Sequence, residues 1–327
     1  MRIPGALEHH AKKWIATFWK NMMQNKRSER RFDSIKTHPA LVVATLASLI
    51  TAAPAVAAPT LPHQSWSSLY VFGDSYSDSG AGYVDGNGPT AVVYMAQGLG
   101  IPFTYAGDPN AGTKGLNFAV SGAQTGEGEG HHYPAPGNGE PASVRGRGLM
   151  TQVEDFTGQV KAGGIRFDGA TTLFFIAGGL NDRKLPTETT VANLEGEIRQ
   201  LYADGARYFM VALLPTKIPQ FADVGLRLNP ALAQIPADLA PSLPGAHIAI
   251  SHWGAFYDDV ITSPQAYGIT NTHDRCAGRA VFGEDTTPCA TPDSYFFYHE
   301  GHPSTAVHRA VGLRLVSDVK AAFPPSS

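Results

Sequence analysis

Cysteine is scarce in this 327-residue chain, which contains only Cys276 and Cys289. A zinc site needs several clustered Cys or His ligands, and no such cluster accompanies these two residues. In an exported protein, two cysteines separated by thirteen positions form one disulfide by default. We therefore expect a single disulfide that closes a short loop, and no metal site.

The chain also lacks a hydrophobic run of the length typical of a transmembrane helix. The apolar stretch at residues 40–50 is short, and Pro54 interrupts the segment after it. Basic residues precede this stretch, and an Ala-x-Ala sequence ends it at Ala57, which is typical of a secretory signal peptide. We expect residues 1–57 to be an N-terminal extension with a signal peptide, and an anchoring helix is the alternative. Residues 58–327 are then a single domain of a secreted or periplasmic protein.

Basic residues are few once residues 1–57 are removed. Residues 1–57 hold nine of the 25 Lys and Arg residues and three of the 28 Asp and Glu residues. The remainder carries 16 basic and 25 acidic residues, a formal charge of −9. An acidic domain is a poor partner for nucleic acid, so we exclude nucleic-acid binding.

Short apolar runs alternate with helical patterns through the rest of the chain. Strands are predicted at residues 69–72, 116–120, 172–177 and 208–213. Helices are predicted at residues 89–99, 190–202, 248–261 and 304–322. This alternation favours an α/β fold with a doubly wound, mostly parallel sheet and helices on both faces. In such a sheet the ligand site lies outside the carboxyl ends of the strands.

Four stretches at predicted strand ends or near the C-terminus carry residues suited to acyl transfer. They are FGDSYSDSG at 72–80, GLNFAVSGA at 115–123, GGLND at 178–182 and HEGHP at 299–303. A serine in a glycine-bounded turn is a stiffly held hydroxyl nucleophile, and a histidine can take its proton. A glycine allows close approach of a backbone N–H, and an asparagine adds a side-chain N–H for a developing oxyanion. Each stretch alone could be an ordinary turn, cap or surface site.

In this order the four stretches resemble the motifs of the SGNH or GDSL-type lipase/esterase family. The likeness extends over residues 66–322, including NGPTAVVYMAQGLGI after the first stretch and GARYFMVALLPTKIP further on. It implies a flavodoxin-like three-layer fold, with Ser75 as nucleophile and His302 as general base. It also implies an oxyanion hole formed by Ser75, Gly122 and Asn181, and it implies no cofactor.

One position departs from the family pattern. The family usually has Asp three residues before the catalytic histidine, whereas this chain has His299 there. We expect a Ser–His dyad in which the group that orients His302 is unassigned. A backbone carbonyl, Asp293 and Asp274 are the candidates, since Glu300 would point differently.

Two competing catalytic motifs do not fit. Ser75 is followed by Tyr76 and Ser77, so it does not lie in the Gly-x-Ser-x-Gly motif of α/β-hydrolases. His299 and His302 are spaced i, i+3 beside a glycine and a proline, whereas zinc metalloproteases place two histidines at i, i+4 on a helix.

The stretch 124–148 is rich in Gly, Pro and His, and we expect a mobile surface loop at the mouth of the site. A metal cluster is the alternative, formed by Glu127, Glu129, His131 and His132.

The expected activity is that of a secreted serine esterase acting on lipid, phospholipid or short acyl esters through an acyl-enzyme. The alternatives are a carbohydrate O-acetylesterase and a non-catalytic binding module with a decayed site. The expected partner is a small-molecule or lipid ester, with transient contact to a membrane or lipid surface. Oligomeric state is left open.

Overall fold

The computed structural model describes residues 65–128 and 147–324, so the predicted signal peptide lies outside the described residues. Strands of the main sheet are β1 (Ser68–Gly73), β2 (Thr104–Tyr105), β3 (Gly115–Asn117), β4 (Thr172–Ala177), β5 (Tyr208–Ala212) and β6 (His247–Ser251). Strands of a second, small sheet are β7 (Asn271–Arg275), β8 (Tyr295–His299) and β9 (His302–Pro303).

The main sheet has the strand order β2-β3-β1-β4-β5-β6, and every neighbouring pair is parallel. In the middle of the sheet Val71 lies opposite Asn117 on one side and Phe175 on the other. Strands β1 and β4 are buried along their whole length, as expected for a parallel sheet covered on both faces. Because β1 lies between β3 and β4, the carboxyl ends of these three strands carry the first three motifs side by side.

The helices are α1 (Ala91–Leu99), α2 (Leu149–Lys161), α3 (Thr187–Ala203), α4 (Ala222–Leu232), α5 (Ile235–Leu239), α6 (Trp253–Thr262) and α7 (Thr305–Ala322). Helix α7 packs against α1 and α6, whereas α3 packs against α2 and α4. The first contact is close, because a Cβ at Gly312 would lie 2.5 Å from the Ala91 carbonyl oxygen. The predicted α/β fold with a doubly wound parallel sheet is confirmed.

The helix predicted at residues 248–261 is wrong in its first part. Residues His247–Ser251 form β6, an additional parallel strand in which Ile250 pairs with Val211 of β5. Helical spacing starts only at Trp253, where α6 begins. The edge of β5 offers unpaired backbone groups, and pairing them decides the conformation of this short apolar run.

The small sheet carries the segment that precedes the last helix. Strand β8 pairs in parallel with β7 and antiparallel with the two-residue β9. The turn between β8 and β9 passes through Gly301, whose φ of +71° favours glycine. Helix α7 then begins with Ser304 as its N-cap, since the side chain accepts a hydrogen bond from the Val307 N–H. No helix in the described ranges is long and apolar enough to cross a membrane.

Candidate active site

Ser75 lies in a tight turn directly after β1. The Asp74 carbonyl oxygen accepts hydrogen bonds from the backbone N–H groups of Ser77 and Asp78, at 3.0 and 2.9 Å. The Asp74 carboxylate accepts another from the Tyr76 N–H at 3.1 Å. The turn is thus held from both sides of Ser75, which keeps the hydroxyl in one place at the carboxyl end of the central strand.

Asp78 ties this turn to the second motif. Its carboxylate accepts hydrogen bonds from the N–H of Ser121 at 2.8 Å and from those of Gly80, Ala81 and Gly82 at 2.8–3.0 Å. Burial raises the pKa of this carboxyl to about 6, against the effect of these donors. Four donors on one buried carboxylate hold the segments 78–82 and 121–123 together.

His302 approaches Ser75 from the small sheet. Its Nε2 lies 2.9 Å from Ser75 Oγ, and its Nδ1 lies 2.9 Å from the Glu300 carbonyl oxygen. A carbonyl oxygen can only accept, so Nδ1 carries the ring hydrogen and Nε2 is left to accept from the Ser75 hydroxyl. Burial lowers the pKa of His302, which favours the neutral ring that a general base needs.

The group that orients His302 is therefore a backbone carbonyl, one of the alternatives left open by the sequence. The Glu300 carboxylate itself is 71% exposed and lies 4.0 Å from Arg275. Asp293 is exposed in the 3-10 turn before β8, and Asp274 accepts a hydrogen bond from Asn271. His302 thus receives its orientation from Glu300, but from the main chain.

The predicted oxyanion donors are brought to the same edge of the sheet. Gly122 follows β3 with a φ of +84°, a conformation that suits glycine. Both Ser75 and Gly122 are buried, and neither backbone N–H donates to an acceptor within residues 65–128 and 147–324. Buried N–H groups are almost always paired, so the lack of a partner among the described residues suits the predicted oxyanion role of these two groups.

Asn181 follows β4 and contacts the same turn. Its Nδ2 donates to the Ala123 carbonyl oxygen at 2.9 Å, which leaves its second hydrogen for another acceptor. Asp182 fixes this arrangement, because it accepts from the N–H and hydroxyl of Thr125 at 3.1 and 2.5 Å and from the Thr190 hydroxyl at 2.8 Å. The second and third motifs therefore form one hydrogen-bonded unit.

One buried acid at this site, Asp85, is not indicated by the sequence. Asp85 lies between β1 and α1, with its side chain fully buried, 3.5 Å from Nε2 of His302 and 3.7 Å from Nδ1 of His299. It forms an ion pair with Arg279 at 2.8 Å and accepts from the Ser121 hydroxyl at 2.9 Å. The surrounding Asp-Gly-Asn-Gly-Pro sequence is typical of a turn, and nothing in it indicates a buried charge.

The segment that carries Arg279 is closed by a disulfide. Cys276 and Cys289 are bonded, as expected, and their Cα atoms are 4.9 Å apart. Among the described residues no group of three or more His, Cys, Asp or Glu side chains is arranged for a metal. Of the alternative metal cluster only Glu127 falls within them, since Glu129, His131 and His132 lie outside.

Comparisons with known proteins identify relatives of this chain. A sequence model of the family described as GDSL-like Lipase/Acylhydrolase matches residues 69–315. A GDSL esterase/lipase from Arabidopsis thaliana is 25% identical over 326 residues, covering 78% of this chain and 83% of the relative. Another from the same plant is 39% identical over 71 residues, and the match spans only 19% of that relative's length and 20% of this chain.

The solved structures that match this chain include a member of the lipolytic protein G-D-S-L family from Veillonella parvula DSM 2008. It is 13% identical with a TM-score of 0.40, and the match covers 76% of this chain and 96% of that one. The family model spans most of this chain. The chain therefore belongs to the GDSL-like lipase and acylhydrolase family, and it is a carboxylic ester hydrolase.

Proposed function

We propose that this protein is a secreted serine esterase that cleaves carboxylic esters through an acyl-enzyme on Ser75. The observation that carries the proposal is the hydrogen bond between Ser75 Oγ and Nε2 of His302, with the Glu300 carbonyl on the opposite ring nitrogen. This arrangement supports a dyad, because the tautomer that can accept the serine proton is the one that the carbonyl selects.

In the first half of the reaction, the Ser75 hydroxyl passes its proton to Nε2 as Oγ bonds to the ester carbonyl carbon. The carbonyl oxygen becomes an oxyanion, and the N–H groups of Ser75 and Gly122 with Nδ2 of Asn181 stabilise it. The C–O bond to the alcohol then breaks, and His302 returns the proton to the departing alkoxide. The result is a free alcohol and an acyl group on Ser75.

In the second half, water takes the place of the alcohol. Nε2 of His302 removes a proton from the water as its oxygen bonds to the acyl carbon. Collapse of the second oxyanion breaks the bond to Oγ, and the proton returns to Ser75. The carboxylic acid leaves, and neither half of the reaction uses a cofactor.

The test is Ser75→Ala assayed on short p-nitrophenyl esters, with Ser77→Ala as the matched control. Ser77 is buried in the same turn, and its hydroxyl has no hydrogen-bond partner among the described residues. We expect Ser75→Ala to lose at least about 10³-fold in kcat and to resist labelling by a fluorophosphonate probe. Ser77→Ala should keep both. Full activity in Ser75→Ala, or a wild-type protein that the probe does not label, would contradict the proposal, and the second result favours the non-catalytic binding module.

The substrate class follows from a chain-length series. Lipid, phospholipid and short acyl esters are the proposed substrates, and an acetylated sugar represents the carbohydrate O-acetylesterase alternative. A rise in kcat/KM with acyl length would support lipid substrates and contact with a lipid surface. A preference for acetate on the sugar would support the alternative.

The disulfide supports the proposed secretion. Disulfides persist in oxidising compartments and are rare in reducing ones, and Cys276 and Cys289 are bonded. Detection of the mature protein outside the producing cell, with its N-terminus near residue 58, is the expected result. Retention inside the cell with an intact N-terminus would contradict it.

A further inference from the structure

A buried carboxylate faces the catalytic imidazole from the side opposite Glu300. Asp85 Oδ2 lies 3.5 Å from Nε2 of His302, and the side chain of Asp85 is fully buried. The resemblance to the family predicts an acid at position 299, on the strand before the histidine. Here His299 occupies that position, and its Nδ1 lies 3.7 Å from the other oxygen of Asp85.

The position of Asp85 is set by two further groups. Arg279 approaches Oδ1 through Nε at 2.8 Å and Oδ2 through Nη2 at 3.1 Å. The hydroxyl of Ser121, next to the oxyanion residue Gly122, donates to Oδ2 at 2.9 Å. A carboxylate held by two neighbours in a buried site has little freedom to move away from the histidine.

The chemistry of the dyad needs a negative charge at this place. When Ser75 gives its proton to Nε2, the ring becomes a cation in a buried site, and the Glu300 carbonyl supplies only a dipole. Arg279 partly neutralises the negative charge of Asp85. Without it, the carboxylate would draw the Nε2 proton toward Asp85 and away from the departing alkoxide. We infer that Asp85 is a positioning residue of this enzyme: with Arg279 it stabilises the His302 imidazolium from the Nε2 side, in place of an acid at position 299.

The inference rests on the proposed roles of Ser75 and His302. Asp85 stays ionised throughout, and the proton moves only between Oγ, Nε2 and the leaving group. Burial alone would raise the pKa of the Asp85 carboxyl, but the electrostatic interaction with His302, the proximity of the His299 ring and the charge of Arg279 hold it below its ordinary value.

Several groups besides Ser75 influence the pKa of His302 or pack against its ring. Burial lowers the pKa of His302 most, Asp85 raises it, and the charges of Arg279 and His299 lower it again. From helix α7, His308 also interacts with His302. The aromatic ring of Tyr76 packs against the imidazole at a centroid distance of 5.7 Å.

The test compares Asp85→Asn, Arg279→Gln and the double variant with the wild type on p-nitrophenyl acetate across pH. We expect Asp85→Asn to lower kcat by about 10- to 100-fold with little change in KM, because the lost charge is needed only when the ring is protonated. The acidic limb of kcat/KM should shift to lower pH in Asp85→Asn and to higher pH in Arg279→Gln. The double variant should fall between them.

Asp293→Asn is the control, since it removes an exposed carboxylate from the turn before β8. It should leave kcat and the acidic limb unchanged. Circular dichroism and thermal melting verify the fold of each variant. If Asp85→Asn does not fold, the shift in Arg279→Gln still decides, because a purely structural ion pair would not move the limb upward.

Unchanged kcat and pH profile in a folded Asp85→Asn, or shifts of the two single variants in the same direction, would overturn the inference. Ser75→Ala keeps the two questions separate. If Ser75→Ala is inactive while Asp85→Asn is normal, only the role of Asp85 fails. If Ser75→Ala is active, the proposed function fails first.

Discussion

The hydroxyl of Tyr76 holds the turn that presents His302, so its removal should weaken both catalysis and stability. Tyr76 follows Ser75, is fully buried, and donates to the Gly301 carbonyl oxygen at 2.7 Å. Gly301 lies between Glu300, whose carbonyl orients the imidazole, and His302 itself. Tyr76→Phe removes this bond and keeps the ring, which packs against Trp253 and Tyr257.

The size of the effect follows from the buried carbonyl. An acceptor left without its donor costs about 1–3 kcal/mol, so the free energy of unfolding should fall by that amount. Without this hydrogen bond residues 300–302 can move, and their movement displaces Nε2 of His302 from Ser75 Oγ. A displacement near 1 Å can lower the rate by about 10²-fold. We expect kcat to fall by about 10- to 100-fold and KM to change little.

Tyr257→Phe is the matched control for this experiment. Tyr257 belongs to the same aromatic cluster, and its hydroxyl bonds to Nδ1 of His308 at 2.8 Å, not to the turn at Gly301. Urea unfolding measures stability, and steady-state kinetics on a p-nitrophenyl ester measures kcat. Both variants should be destabilised to a similar degree, and only Tyr76→Phe should lose kcat. Equal losses of kcat, or an unchanged kcat in Tyr76→Phe, would refute the reasoning.

Two further predictions concern stability. Replacing Cys276 and Cys289 together with Ser opens a loop of 13 residues and should lower the free energy of unfolding by about 3 kcal/mol; an unchanged urea midpoint would contradict this. Burial lowers the pKa of His308 to about 3, so the folded protein does not take up the proton that the unfolded chain binds below pH ~6.5. Between these values His308 should lower the free energy of unfolding by about 1.4 kcal/mol for each unit that the pH falls. His308→Gln should flatten that slope in urea titrations at several pH values, and an unaltered slope would exclude the residue as its source.

Strands β1, β4 and β5 could be predicted because their sequence signals are local. The runs that become β1, β4 and β5 are short, apolar and bounded by glycine, serine or proline, and a parallel sheet buries such runs on both faces. Strand β6 could not, because residues 247–251 read equally well as the start of a helix until β5 offers them a pairing edge. Helix α2 was not predicted, and its apolar residues follow a Gly- and Pro-rich stretch that hides the helical start.

The motifs by themselves determined which residue types the site has available and in what order they follow strand ends. Ser75, Gly122 and Asn181 were named from sequence, since a glycine-bounded turn after a buried strand is a local property of the chain. The tertiary structure alone decided what surrounds His302. A backbone carbonyl has no side chain to signal it, so the Glu300 carbonyl at Nδ1 becomes visible only in the folded turn. The partners of Asp85 come from distant segments of the chain, and only folding brings them together. Burial removes water from around all of them, and for this reason the charge of Asp85 can act on the imidazole.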